Sequence, residues 1–223
     1  MSFRRSILCL VILLACLAKV KAQQPGFSNG DWQFWPEVNL SVALNEKVSF
    51  VALGTLHFGL DVSDLNEEQL GVGLNFFLNK HFSLSPSYRY IRGQPPGGSH
   101  TEEHRFLLDF VARAPLRNKF LVSDRNRGEL RRINGVDSGR YRNRLQLERS
   151  FHLIGRKVVP YLADEVFYDS RYHIWNRNRI YAGARISLVK HFGVDGCYLE
   201  QHDVRDRPFT RRHVLDLSLK IEY

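Results

Sequence analysis

Hydrophobic and polar residues alternate through the last stretch of the chain, Arg212–Tyr223. From Leu215 onwards, Leu, Ile and Tyr occupy the odd positions and Asp, Ser, Lys and Glu the even ones. Successive side chains of a strand point to opposite faces, so the pattern predicts a strand with one apolar and one charged face. Such a strand would aggregate at a soluble sheet edge, whereas closure into a membrane barrel removes the edge. We therefore expect Leu217 to face hydrocarbon and Ser218 to face a polar lumen.

The same alternation recurs along the chain, and short turns and longer polar loops connect the segments in turn. The alternating segments are Trp32–Leu44, Val48–Leu60, Glu68–Leu78, Phe82–Arg92, Glu102–Arg113, Lys119–Ile133, Arg140–Phe151, Lys157–Tyr168, Trp175–Val189, Phe192–His202 and Arg212–Tyr223. This arrangement predicts an all-β protein, an up-and-down antiparallel transmembrane β-barrel of 10–12 strands. Bacterial barrels of this type have an even number of strands. We therefore expect ten strands if Trp32–Leu44 is not a full strand, or twelve if one more crossing is hidden. Asn134–Gly139 is expected to be one of the longer loops.

The amino terminus is typical of a secretory signal peptide. Arg4 and Arg5 precede the apolar run Ile7–Ala18, and Val20 and Ala22 suit the positions before a cleavage site. The apolar run is shorter than the ~20 residues that a spanning helix needs. The predicted division of the chain is a cleaved signal peptide over residues 1–22 and an outer-membrane β-barrel domain over residues 23–223.

Export and charge limit the partners that the mature chain can have. The signal carries four of the 32 Lys and Arg residues, so the mature chain keeps 32 − 4 = 28 against 23 Asp and Glu, a net charge of +5. Cys197 is the one cysteine left, so no internal disulfide can form. Export argues against nucleic acid, and anionic lipid head groups or small anions are better candidates. We expect the outer membrane of a Gram-negative bacterium, with outer-membrane lipid and lipopolysaccharide as partners. The barrel-assembly machinery is expected to bind the C-terminal strand that ends at Tyr223.

The polar faces of several segments carry many charged residues. Arg is costly on a lipid-facing surface, so these side chains are expected to line the lumen. The predicted lumen-lining residues are Glu103, Arg105, Asp109, Arg140, Arg142, Arg144, Glu148, Glu165, Arg177, Arg179 and Arg185. Two interpretations stay open at this point. The side chains either fill a narrow lumen through salt bridges, or they form a basic constriction that prefers anions.

Histidines supply the remaining candidate chemistry. His100–His104 matches a His-x-x-Glu-His metalloprotease pattern, but that pattern needs a helix, and here it lies between a Pro-Gly loop and an alternating segment. His57, His173, His202 and Ser170 lie near predicted loops without a spacing that singles them out. We therefore predict no catalytic residues, no metal site and no cofactor.

Several short motifs, taken in order, resemble the bacterial outer-membrane proteins grouped as domain of unknown function 2490. The motifs are Trp35, Glu103-His104-Arg105, Asp124–Arg132, Arg142-Asn143-Arg144, Pro160-Tyr161, Glu165-Val166-Phe167, Asn178–Gly183 and Tyr198–Gln201. The resemblance covers nearly all of the mature chain. It implies a membrane barrel of unassigned activity and brings no catalytic residues with it.

The leading functional prediction is an outer-membrane β-barrel without enzymatic activity, which is either structural or a narrow anion-preferring channel. Two alternatives remain. One is a barrel hydrolase that acts on lipid or lipopolysaccharide from groups at its rim, and the other is a soluble periplasmic β-barrel that binds a small ligand.

Overall fold

A computed structural model describes residues 29–94, 98–204 and 210–223 of the chain. The predicted signal peptide, residues 1–22, lies outside the described residues. Strands make up most of the described residues. They are β1 (Asp31–Ala43), β2 (Val48–Gly59), β3 (Asp64–Phe77), β4 (Phe82–Gly93), β5 (Thr101–Pro115), β6 (Phe120–Ile133), β7 (Val136–Arg149), β8 (Phe151–Leu153), β9 (Arg156–Asp169), β10 (Ile174–Val189), β11 (Phe192–Asp203) and β12 (Thr210–Glu222), with one 3-10 turn at Arg117–Lys119. No helix among the described residues is long and apolar enough to cross a bilayer.

The strands form one closed sheet in which each pairs with its neighbour along the chain. The short β8 continues β7 past Ser150 in the same register against β9, so the described strands make eleven crossings of the barrel. The predicted up-and-down barrel of 10–12 strands is therefore confirmed with eleven strands, whereas the even number expected within that range, ten or twelve, is wrong, and β1 is a full strand. The even-number rule assumes an antiparallel closing pair, whereas here β1 and β12 pair in parallel, from Asp31 opposite Arg212 to Ser41 opposite Glu222.

The two ends of the barrel differ in their connections. The "turn end" carries the β1–β2, β3–β4, β5–β6, β8–β9 and β10–β11 connections, and the "loop end" carries the others. The loop predicted at Asn134–Gly139 is wrong, because β6 and β7 are joined by a two-residue turn. Asn134 and Gly135 both have positive φ, 48° and 83°. Asn-Gly is the preferred sequence for this hairpin turn, whose twist matches that of the flanking strands.

The alternation in the sequence decides which face of each strand meets the lumen. In β12, the Leu217 side chain lies on the outside with 45% of its surface exposed, and Ser218 faces inward with 5% exposed. Part of the interior is filled by a small packed cluster of Trp35, Tyr161, Ala163, Tyr181, Leu199 and Val214. This cluster lies on the inner faces of β1 and β9–β12, and the charged side chains described next fill much of the remaining interior.

Candidate functional site: the lumen

All eleven residues predicted to line the lumen lie on the inner faces of β5, β7, β9 and β10. The Glu165 side chain on β9 is the centre of their network and has no exposed surface. Its Oε1 accepts hydrogen bonds from Arg125 Nη2 at 2.6 Å and Arg142 Nε at 2.9 Å, and its Oε2 accepts one from Tyr181 Oη at 2.6 Å. Arg142 also donates to Glu129 Oε1 at 3.0 Å. A buried carboxylate with this many donors stays ionised and holds three strands in one arrangement.

A second group of ion pairs lies closer to the loop end. Arg131 on β6 donates to both carboxylate oxygens of Glu103, at 2.6 and 2.8 Å, in the two-pronged geometry that suits guanidinium. Arg105 shares Glu103 Oε1 at 2.6 Å. The fully buried Asp169 ends β9 and accepts from Arg140 at 3.0 Å and from Arg171 in the next turn. The hydrogen bond to Asp169 raises the pKa of the Arg171 guanidinium.

Three further pairs involve residues of the predicted set. Arg127 binds both oxygens of Asp109, at 2.5 and 2.6 Å, and Arg177 Nε donates to Asp203 Oδ1 at 2.5 Å. Arg185 pairs with Glu148 towards the turn end. Most of the predicted lumen charges are therefore used in salt bridges, as expected for a filled lumen.

Of the inward guanidinium groups that the structure describes, four do not follow this pattern: Arg113 donates to the Ser83 hydroxyl at 2.9 Å near the turn end, and three others lie nearer the middle of the lumen. Among the described residues, no carboxylate oxygen comes within 4 Å of Arg89, Arg144 or Arg179. Each donates to a side-chain amide oxygen instead, at 3.3 Å to Gln69, 2.9 Å to Gln146 and 2.8 Å to Gln201 respectively. The Nε atoms of Arg89 and Arg144 are buried and have no hydrogen-bond partner within the described chain. These three cations therefore keep donor capacity and form no direct ion pair with a carboxylate of the described residues.

Aromatic rings fix two of these three guanidinium groups. Arg144 lies over the Tyr181 ring, 4.2 Å from its centroid, and Arg179 lies 5.0 Å from the centroids of both Trp35 and Phe167. Trp35 in turn stacks on His57, with centroids 4.1 Å apart. Stacking on a ring holds a guanidinium in place through its face and leaves its N–H edges available for a ligand.

The acidic side chains on β1, β11 and β12 face the arginines across the lumen. Glu37 accepts hydrogen bonds from Thr55 and Ser218, both at 3.1 Å, and Asp195 accepts one from Tyr161 at 2.8 Å. Asp216 lies beside them and has no hydrogen bond or ion pair to any described residue. The lumen is therefore polarised from an acidic wall to a basic one.

A single cavity of about 760 Å³ lies between these walls. Its lining includes fourteen Lys and Arg residues and five Asp and Glu residues, because many carboxylates are covered by the arginines that bind them. A low-dielectric wall concentrates the field of its surface charges, so the cavity surface has a positive potential over most of its length. A smaller cavity of about 180 Å³ continues towards the turn end beside Arg113, Arg144 and Arg185.

Comparison with known proteins connects this geometry to a family. The profile of the "Protein of unknown function (DUF2490)" family matches residues 32–211, which is most of the barrel. The chain belongs to this family. The solved β domain of the Bordetella autotransporter BrkA is similar in fold, with a TM-score of 0.56 and 16% identity. The alignment covers 81% of this chain and 86% of the other. Comparison with curated proteins finds no match.

Membership of DUF2490 confirms the resemblance seen in the sequence, and the chain is a β-barrel of the outer-membrane type. The strand Lys119–Ile133 was predicted, but the list of lumen residues omitted its charges, Arg125, Arg127, Glu129 and Arg131, which also face the lumen. The period-two pattern of charges in that segment was visible, but its outward residues include Asp124 and Asn126, so neither face looked apolar. Arg89 was visible on a polar face, and only its lack of a carboxylate partner distinguishes it.

The other sequence candidates have ordinary contacts. His104 lies in β5 and hydrogen bonds Tyr88 Oη at 2.6 Å, and the described residues contain no group of three His, Cys, Asp or Glu side chains placed for a metal ion. His57 pairs with Glu67 at 3.0 Å and His202 with Glu200 at 2.9 Å. The Ser170 hydroxyl accepts from the Gly139 amide at 2.8 Å. None of these contacts joins the serine hydroxyl to a histidine.

Proposed function

We propose that this barrel is a narrow, anion-preferring channel in the outer membrane of a Gram-negative bacterium. The observation that carries the proposal is that three arginines lining the larger cavity, Arg89, Arg144 and Arg179, have no carboxylate partner among the described residues. A lumen filled only for stability would pair its buried cations, because an unpaired buried charge costs several kcal/mol. An anion with its water can supply the missing acceptors.

The shape of the cavity supports passage of small solutes. Its lining extends from Arg171 near the loop end to Lys220 near the turn end. Rings of fixed Arg and Lys are the usual lining of anion-selective pores, because they replace part of the hydration of the ion while leaving its binding reversible. The acidic wall of Glu37, Asp195 and Asp216 opposes binding on one side and leaves the anion a path along the other.

The outer surface supports placement in the outer membrane. The strands present Leu, Val, Ile and Phe outward, and the described surface includes rim contacts such as Trp32 with His213 and Tyr141 with Trp175. Apolar bands bordered by aromatic residues are typical of barrels in a bilayer. We further propose that outer-membrane lipid and lipopolysaccharide surround this band, and that β12, which ends beside Tyr223, is the strand that barrel-assembly machinery recognises.

Ion selectivity of the refolded protein in planar bilayers tests the channel. The reversal potential in a KCl gradient should show chloride preference, and the triple change Arg89→Gln, Arg144→Gln and Arg179→Gln should shift it towards cation preference. Arg132→Gln is the matched control, because Arg132 is an exposed rim residue beside Asp137 and should leave the selectivity unchanged. Heat-modifiable migration on a detergent gel verifies that each variant has folded. Absence of conductance from folded protein, or cation preference in the unaltered chain, would contradict the proposal.

A further inference from the structure

The outer wall of the barrel carries one polar group of residues in the middle of its apolar band. We name it the amide patch, and its members are Asp124 and Asn126 on β6, Asn143 on β7, Asp164 on β9 and Asn178 on β10. Each points outward, because its chain neighbours Arg125, Arg142, Arg144, Glu165 and Arg179 face the lumen. Apolar residues of the same faces surround the patch, among them Leu130 at 71% exposure and Leu145 and Ile180 at 54%.

Strand register arranges the amide patch in two adjacent rows. Asn126 lies opposite Asn143, and Val166 on β9 lies opposite both Asn143 and Asn178. In the next row, Leu145 lies opposite both Asp124 and Asp164. One row therefore carries amides and the other carries carboxylates, with Val166 and Leu145 between them.

Hydrogen bonds within the amide patch satisfy only part of its capacity. Asn143 donates to Asp124 at 2.6 Å and to Asn126 at 3.2 Å, and Asn178 donates to Asp164 at 2.7 Å. Asp164 has this one side-chain donor, although a carboxylate can accept about four hydrogen bonds. No Lys or Arg in the described chain comes within 4 Å of Asp124 or Asp164. Asn126 also donates to Asp124 at 3.1 Å and accepts from Tyr141 Oη, so each amide nitrogen of the patch has an acceptor within the described chain. What the patch lacks, on a surface predicted to face lipid, is donors for the remaining lone pairs of Asp164 and for the amide oxygens of Asn143 and Asn178.

These polar groups lie near the middle of their strands, where exposure to lipid is energetically costly. Asn143 is the eighth of the fourteen residues of β7, and a strand crosses the hydrocarbon in ~9–11 residues. Polar groups at that depth are rare and face protein or water, because lipid offers them no hydrogen bonds. The outward residues of β12, β1, β2 and β3 are apolar at the same depth, so the amide patch is a local feature of one wall.

We propose that the amide patch is the interface of a two-fold dimer of this chain within the membrane. A facing copy brings the same groups, and the second N–H of Asn126, which its bond to Asp124 leaves available, can donate to Asp164 of the other barrel. No apolar wall of the barrel offers such a donor, so patch-to-patch contact, which is the geometry of a closed two-fold pair, gives both surfaces polar partners. Gly128 and Ala182 lie beside the patch and let the two backbones approach closely, and a Cβ at Gly128 would meet nothing within 4 Å.

Single-cysteine crosslinking of the refolded full-length protein tests the dimer, and its outcome is independent of the channel proposal. In a Cys197→Ser background, Asn143→Cys with a short bis-maleimide should give a covalent dimer on a denaturing gel. Leu217→Cys, at similar depth on the opposite wall, is the matched control and should remain monomeric. A lipid-borne quencher should reach a fluorophore at position 217 but not one at position 143.

A second measurement guards against a misfolded cysteine variant. Native mass spectrometry of the unaltered chain in mild detergent should show a dimer, and Asp164→Leu should weaken that dimer about tenfold or more, since a lost polar contact of about 1–2 kcal/mol has that effect. Three outcomes would each overturn the proposal. They are a monomer that the quencher reaches at position 143, a dimer crosslinked through position 217, and a crosslink from position 143 to a different protein in native membranes.

Discussion

Two sectors of this barrel differ in the residues that form their inner and outer faces. The seam sector, formed by β11, β12, β1 and β2, has an apolar outer wall and an inner face on which Trp35, Leu199 and Val214 pack closely. The arginine sector, formed by β5, β6, β7, β9 and β10, has an inner face of buried ion pairs and an outer wall interrupted by the amide patch. A membrane barrel requires every backbone group to be paired, but leaves the side chains free to differ in this way.

The difference shows which sector is held by apolar packing and which has polar groups available for a ligand or a partner. In the seam sector, stability comes from apolar contact with lipid outside and with side chains inside. In the arginine sector, each strand depends on charges of its neighbours, so loss of one partner leaves others buried and unpaired. Both candidate interactions of the protein, the anions in the lumen and the second copy outside, involve the arginine sector.

The largest effect should follow from Glu165→Gln in the arginine sector. This change removes the charge that Arg125 and Arg142 share, and breaking a buried ion pair costs about 3–5 kcal/mol. Equilibrium unfolding in urea from liposomes, followed by Trp fluorescence, measures the loss. Glu148→Gln is the control, because its partner Arg185 is 40% exposed and such pairs contribute about 0–1 kcal/mol. Equal losses in the two variants would show that the central network does not hold the sector together.

Leu217→Arg in the seam sector should have the next largest effect. Leu217 lies near the middle of β12, and Arg on the lipid side at that depth costs about 2–4 kcal/mol. The fraction folded in liposomes, read from heat-modifiable gel migration, should fall sharply. The folded fraction of Ser218→Arg should fall less, because Ser218 faces the lumen beside Glu37, which can pair with the new cation. A greater loss at position 218 would mean that the inner and outer faces of β12 are assigned wrongly.

The faces of the strands could be predicted from the sequence, and the closure of the barrel could not. Alternation between Leu217 and Ser218 follows directly from the two environments of a strand. Whether the number of strands is even or odd depends instead on the pairing between β1 and β12. No local pattern in Trp32–Leu44 shows whether that pairing is parallel or antiparallel. Pairing is similarly non-local: Arg142 and Arg144 are both inward on β7, yet one reaches Glu129 and Glu165 and the other meets tyrosine rings.

A smaller effect is expected from replacing the charges of the amide patch. The change Asp124→Asn with Asp164→Asn keeps the side-chain size and one accepting oxygen at each position, so folding yield should stay within about twofold, as for surface changes of ~0.5 kcal/mol. If the outer wall of the arginine sector faced only lipid, the two carboxylates would be costly there, and removing their charges would raise the folding yield by much more than twofold. The yield in liposomes, measured beside a Leu215→Ile control on the seam wall, separates these outcomes.

The smallest perturbation is a disulfide across the seam, which tests the parallel closure itself. Glu37 and Ser218 are register partners in β1 and β12, and their side chains touch, with Ser218 Oγ donating to Glu37 Oε1 at 3.1 Å. In a Cys197→Ser background, Glu37→Cys with Ser218→Cys should therefore oxidise to a disulfide and leave folding unchanged. The bond joins residues 181 positions apart, so boiled, non-reduced protein should migrate as a compact loop and reduced protein as a linear chain. Glu37→Cys with Val214→Cys is the control, because it is displaced by four residues along β12 and should not bridge. In an even-stranded barrel closed by an antiparallel pair, β12 would run in the opposite direction beside β1. Similar disulfide yields from the two cysteine pairs would therefore contradict the parallel closure.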